Sequence, residues 1–173
     1  MRESHSNGGA GVKVRDDRNA VKIRLVAVGK IRERYVAAAA DDFRTRLRPY
    51  HVYEEIEVAP SRGTDSQRAM REEASRVLTS VSSGDVLWLL ERSGTQLSSR
   101  ELAERVQGLE RSSAPRLVLA VAGTHGAGTE LIARADFQWS LSRLTLLHEW
   151  ARMLVLEQLY RAAKIAHDEP YHR

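Results

Sequence analysis

The residues best able to do chemistry lie in the last third of the chain. They are the loop Gly123-Thr124-His125-Gly126-Ala127-Gly128, the run from Ser140 to Leu147, His148, and the closing Tyr171-His172-Arg173. The glycine loop follows an apolar run and could offer backbone amides to a phosphate or cofactor. It matches neither Gly-x-x-x-x-Gly-Lys-Ser/Thr nor Gly-x-Gly-x-x-Gly, so by itself it is equally a tight strand-to-helix turn. The run Ser140, Leu141, Ser142, Arg143, Leu144, Thr145, Leu146, Leu147 is too short and too rich in hydroxyls for a core strand, and reads as a loop presenting its backbone to a ligand. His148 is either an acid-base group facing that ligand or a helix-start histidine bonded to nearby backbone. Tyr171, His172 and Arg173 follow Pro170, which ends any helix. They supply a stacking ring, a proton carrier and a fork of donors where there is no core to fill.

Other chemistries are excluded by residue type. The chain has no cysteine, which removes disulfides, thiolate zinc sites, iron-sulfur clusters and cysteine nucleophiles together. Its six histidines include no His-x-x-x-His pair, so no metal is expected. No Gly-x-Ser-x-Gly elbow exists for a nucleophilic serine. The carboxylate pairs Glu54-Glu55 and Glu72-Glu73 read as solvent faces. The net charge is only +4, yet residues 21–50 hold Lys22, Arg24, Lys30, Arg32, Arg34, Arg44, Arg46 and Arg48 against Glu33, Asp41 and Asp42. That segment is either a basic face for phosphate, RNA included, or a solvated helix surface.

The elements that must position these groups follow from periodicity. At 173 residues with 42% hydrophobic content the chain suits one domain with a real core. Residues 1–20, glycine-rich and without apolar periodicity, read as a disordered extension, leaving 21–173 as the folded domain. No run approaches the ~20 apolar residues of a membrane span, and the first residues lack the apolar core of a signal peptide, so a cytoplasmic location is expected. Strands are expected at Val21 to Val28, Val52 to Val58, Val86 to Leu90 and Leu117 to Ala122. Between them come a helix with Tyr35, Ala39, Phe43 and Leu47 on its inner face, one starting at Asp65 or Ser66 and burying Met70, Ala74, Val77, Leu78 and Val81, and one opened by a Ser98/Glu101 capping box. A short helix spans Thr129 to Ala135. This alternation implies an α/β fold, a parallel sheet with helices on both faces. Its ligand belongs outside the carboxyl ends of the strands, against the loops Glu91 to Thr95, Gly123 to Gly128 and Ser140 to Leu147. A last helix from His148 to Asp168, apolar on most of its surface, must be buried on more than one side and so asks for a partner subunit.

Several of these stretches together resemble the RlmH (YbeA) family of SPOUT-class methyltransferases: Gly123-Thr-His-Gly126, Trp139-Ser-Leu-Ser-Arg-Leu-Thr-Leu-Leu-His148, Leu156-Glu-Gln-Leu-Tyr-Arg-Ala162 and Glu169-Pro-Tyr-His-Arg173. The resemblance starts at the strand Ile23-Arg-Leu-Val-Ala-Val-Gly-Lys30 and runs to the end of the chain. It implies a five-stranded parallel sheet with a C-terminal trefoil knot, a homodimer, and S-adenosyl-L-methionine (SAM) as cofactor. The reaction implied is N3-methylation of a pseudouridine in 23S ribosomal RNA, with the ribosome as partner. Cofactor contacts carried over by the resemblance fall on Leu90, Ala122, Gly123, Leu141, Ser142, Arg143, Leu144, Thr145 and Leu146. His148, Tyr171, His172 and Arg173 are the catalytic candidates, the tail reaching over the partner's cofactor. Two positions depart from the family: Ala122 stands where a Gly-Gly pair is usual, and Leu147 where a proline commonly precedes the histidine. Two other functions compete, an ordinary doubly wound nucleotide-binding enzyme and a ribosome-associated RNA-binding protein without activity.

Overall fold

A computed structural model describes residues 21–171. The extension expected over 1–20 and two of the tail candidates, His172 and Arg173, lie outside the described residues. The elements in chain order are β1 (Lys22–Val28), α1 (Arg34–Leu47), β2 (Tyr53–Val58), α2 (Ser66–Leu78), β3 (Val86–Gln96), α3 (Ser99–Arg111), β4 (Arg116–Val121), α4 (Thr129–Arg134), β5 (Phe137–Ser140) and α5 (His148–Ala166). All four strand pairings are parallel, in the order β2-β1-β4-β3-β5. The parallel α/β sheet expected from the alternation is therefore present.

The apolar runs of the central strands are continuous because each is covered on both faces. On one side Ile23, Leu25, Leu117 and Leu119 meet Ala40 and Leu47 of α1, Leu102 and Val106 of α3, and Val155, Leu156 and Leu159 of α5. Val26, Leu87, Leu89, Val118 and Ala120 point the other way, onto Ala74 and Val77 of α2 and Leu131 of α4. The capping box on α3 is formed: Ser98 Oγ accepts from the Glu101 amide and the Glu101 carboxylate accepts from the Ser98 amide. Asp65 is the N-cap of α2, accepting from the amides of Gln67 and Arg68.

Four expectations change. The inner face of α1 is Val36, Ala40 and Leu47, with Tyr35 rotated outward at 60% exposure. Glu73 is buried, not solvent-facing. Glu55 is half-buried and accepts from Arg44, Tyr53 and Arg152. The stretch Glu91 to Thr95 is not a loop but the bulged second half of β3, where the pairing to β5 shifts register between Leu90 and Thr95.

Helix α5 carries a residue that its periodicity conceals. Arg152 is 1% exposed. Its guanidinium donates to Glu55 Oε1, to Glu57 Oε1 at 2.7 Å and to the Gly29 carbonyl at 3.1 Å. The same helix also completes α1. Glu33, the N-cap of α1, makes no side-chain cap of its own, and Glu149 Oε2 accepts from the amides of Arg32 at 3.0 Å and Glu33 at 3.1 Å. Burial opposes charge on Glu149, but those two amides outweigh it and hold the carboxyl below the usual range.

Candidate active site

A cavity of about 560 Å³ opens at the bulge of β3 and the carboxyl end of β4, beneath the segment joining β5 to α5. All three stretches marked as ligand-facing in the sequence contribute to its wall. Leu90 lines it from β3, Ala122 and Gly123 from the end of β4. Leu141, Ser142, Leu144, Thr145 and Leu146 line it from the strap between β5 and α5, and His148 closes one side. Arg143 is the one strap candidate outside the wall, and it is exposed.

The strap is held by hydroxyls in place of a ladder. Ser140 Oγ lies 2.9 Å from the Arg92 carbonyl and 3.0 Å from that of Ser142, so its one proton serves either. Ser142 Oγ accepts from the Leu144 amide at 3.0 Å, an ST-type turn. Arg92 Nη1 donates to Thr145 Oγ1 at 3.0 Å and ties the strap to β3. These are the reasons for the Ser/Thr content that made this stretch a poor strand.

Both glycines that flank the loop after β4 answer to packing by α2. A Cβ on Gly123 would run into Glu73 Oε2, with Glu73 Cδ at 3.1 Å and Val28 at 3.2 Å. One on Gly128 would lie 2.7 Å from the Met70 carbonyl and 2.9 Å from Ala74 Cβ. Gly123 and Gly128 are glycines so that α2 can approach the loop, while Gly126, whose Cβ would meet nothing, takes a φ of +92. Glu73 Oε1 accepts from the Ser61 amide at 2.8 Å, while its buried Oε2 has no hydrogen-bond partner among the described residues.

Both departures from the family pattern are harmless to the backbone. Among the described residues the only non-glycine positions with positive φ are Ser113 and Asp168. Ala122 thus sits in ordinary backbone, and its methyl needs no left-handed conformation. Leu147 is the N-cap of α5 with φ −62 and ψ 141, and that φ is the one a proline ring would have fixed. His148 follows directly, its Nε2 3.7 Å from where a Gly29 Cβ would be.

Tyr171 is not at the cavity of its own chain. Its ring stacks edge-on to Tyr160 at 4.8 Å, lies under the Arg161 guanidinium at 4.7 Å, and its hydroxyl donates to Glu157 Oε1 at 3.2 Å. Burial pushes the phenol above its ordinary value, and Glu157 adds to this. Tyr160 is about 18 Å beyond His148 along α5, at 1.5 Å per residue. The described part of the tail therefore folds back onto the middle of α5, about three turns from His148.

Glu91, Arg92 and His125 reach the cavity from stretches that the sequence marks as ligand-facing, though no pattern singles them out as individual site residues, and none places Trp139 in the wall. Trp139 is 3% exposed and packs edge-on to Trp88 at 6.3 Å. Edge pairing of β3 with β5 brings it there, and four residues of β5 are too few to show a period. Among the described residues no group of three or more His, Asp or Glu side chains could hold a metal, and no helix is long and apolar enough to cross a membrane.

Comparison with known proteins agrees with this arrangement. Residues 21–172 match a family model described as "Predicted SPOUT methyltransferase". A protein of Acetivibrio thermocellus named ribosomal RNA large subunit methyltransferase H is 36% identical over 159 residues, spanning 88% of this chain and all of that protein. One of the same name from Gloeobacter violaceus is 39% identical over 152 residues, spanning 88% of this chain and 99% of its own. Among solved structures, a probable methyltransferase from Bordetella pertussis shares the fold with a TM-score of 0.54 at 14% identity, covering 85% of this chain and 99% of that one.

Proposed function

The chain belongs to the SPOUT methyltransferase family, and on that premise we propose that it methylates large-subunit ribosomal RNA at N3 of a pseudouridine, using SAM, in the cytoplasm. The observation that carries this reading is the cavity at the ends of β3, β4 and β5, whose volume of about 560 Å³ suits a nucleoside-sized ligand. Its residues fit such a cofactor. Leu90, Leu141 and Leu146 offer apolar surface for a flat ring, and Gly123 brings the backbone after β4 to the wall without a side chain of its own.

SAM, when bound, supplies a methyl group already activated on a sulfonium sulfur. The chain's own task is then alignment and exclusion of water, which a wall of leucines under a hydroxyl-pinned strap suits. The acceptor nitrogen lies between two carbonyls and carries a proton that must leave as the N–C bond forms and the S–C bond breaks. His148, half-buried at the cavity wall, takes that proton in this reading. Lys30, Arg32 and Arg34, beside the start of α5, have no ion pair among the described residues and serve the RNA backbone. Arg24, Arg44 and Arg46 are instead paired with Glu54, Glu55 and Asp42. Affinity for RNA should accordingly fall steeply with salt.

The proposal includes a homodimer in which Tyr171, His172 and Arg173 act at the partner's cavity. Support comes from the placement of Tyr171 against Glu157, Tyr160 and Arg161, away from the cavity of its own chain, and from exposed apolar groups at the start of α1 and α5. Tyr35 and Trp150 pack ring to ring at 6.0 Å with Tyr35 60% and Trp150 38% exposed, and Leu147, three residues before Trp150, is exposed as well. The knotted threading implied by the family is part of the same reading.

Incubation with methyl-labelled SAM and ribosomes lacking the modification, followed by nucleoside mass spectrometry, tests the reading. Label in 3-methylpseudouridine is the expected result. Binding of SAM without transfer would favour an inactive RNA-binding protein, and label in another nucleoside would refute the acceptor.

A further inference from the structure

Nothing in the family pattern carried over to this chain involves Glu91 or Arg92, yet both line the cavity. Resting on the cofactor reading above, we propose that this pair grips the zwitterionic amino-acid head of the methyl donor, Arg92 its carboxylate and Glu91 its ammonium.

Neighbouring residues of a regular strand point to opposite faces. Here the register of β3 against β5 shifts between Leu90 and Thr95, and this bulge lets two adjacent side chains serve one cavity. Gly94 makes the bulge possible, because a Cβ there would lie 2.5 Å from the Gln138 carbonyl oxygen. Among the residues of the wall, Arg92 is the only lysine or arginine and Glu91 the only carboxylate.

Both groups keep bonding capacity. Arg92 spends one donor on Thr145 at 3.0 Å, and the rest of its fork matches a carboxylate. Among the described residues Glu91 receives only two contacts of 3.4 Å, from the amide and hydroxyl of Ser93, at the limit of a hydrogen bond. A phosphate of the RNA would also suit Arg92, but the adjacent Glu91 would repel it. An α-amino acid presents both charges side by side, as this pair does.

Calorimetry with two inert probes decides the matter. S-adenosylhomocysteine carries the amino-acid head, and 5′-methylthioadenosine has the same nucleoside and thioether without it. The wild-type chain should prefer the first by about tenfold or more. Arg92→Met should remove most of that preference while leaving 5′-methylthioadenosine binding within about twofold, and Glu91→Gln should act in the same direction. Unchanged preference in both variants would overturn the proposal, as would equal weakening of both probes, which would mean only that the strap had collapsed. A rise in the KM for ribosomes with the preference intact would also overturn it and assign Arg92 to the RNA backbone. If the wild-type chain binds neither probe, it is the cofactor reading itself that fails.

Discussion

Arg152 Nη1 donates to the carbonyl of Gly29 at 3.1 Å, joining the first turns of the last helix to the residue that ends the first strand. Gly29 has a φ of +82, and His148 Nε2 lies 3.7 Å from where its Cβ would be. The position of His148 at the cavity thus depends on a buried cation one turn further along α5 and on the two carboxylates of β2 that neutralise it.

Arg152→Met should destabilise the fold by about 3 kcal/mol, because it leaves Glu55 and Glu57 facing a vacated site and the Gly29 carbonyl without its donor. Arg44 still reaches Glu55 at 2.8 Å, which keeps the loss from being larger. Urea denaturation of the variant, with an unchanged slope, measures it.

Gly123→Ala should cost about 1–3 kcal/mol, since the added methyl meets Glu73 Oε2 and the Cδ 3.1 Å away. Made in a Glu73→Ala background the same change should cost clearly less. A double-mutant cycle in denaturant that gave purely additive losses would refute the contact as the cause.

Glu149→Ala removes the acceptor of two amides at the start of α1, where no other side-chain cap exists. A loss of about 1 kcal/mol is expected. Amide exchange should speed up first at Arg32 and Glu33, and exchange unchanged there would contradict the cap.

The segment after α5 is anchored by Glu169, which accepts from Lys164 and from Tyr50 Oη at 2.7 Å. Lys164 first and Tyr50 second hold the Glu169 carboxyl below its ordinary value, and Glu169 in turn holds the Lys164 ammonium above its own. The Glu169 contribution is present above the ordinary glutamate pKa and is lost as pH falls through the lowered one. The Lys164 contribution is present below the ordinary lysine pKa and is lost as pH rises through the raised one. Protease cleavage after Lys164 should therefore stay slow from about pH 5 to about pH 10 and accelerate outside that window.

Much of this was legible in the residues. Val26 and Leu119 lie in runs that only a strand covered on both faces would have, and Ser98 with Glu101 marked the start of α3 to the residue. What was hidden depended on partners distant in sequence. Arg152 looks like a surface arginine until β2 brings Glu55 and Glu57 to it, 97 and 95 residues away. Glu73 looks like half of a solvent pair until Gly123 is packed against it. At Glu91-Arg-Ser-Gly94 local propensity indicates a turn, and only pairing with β5 makes it strand. The strap and His148 were visible because their hydroxyls, leucines and helix start are local features.

The central claim is that the space between Leu90, Gly123 and the strap is the methyl-donor site, and titration calorimetry with SAM tests it most directly. One site per chain is predicted, lost when Ala122→Trp fills the cavity in a chain that still unfolds cooperatively. No heat with SAM, or tighter binding of a dinucleotide at the same place, would contradict the account.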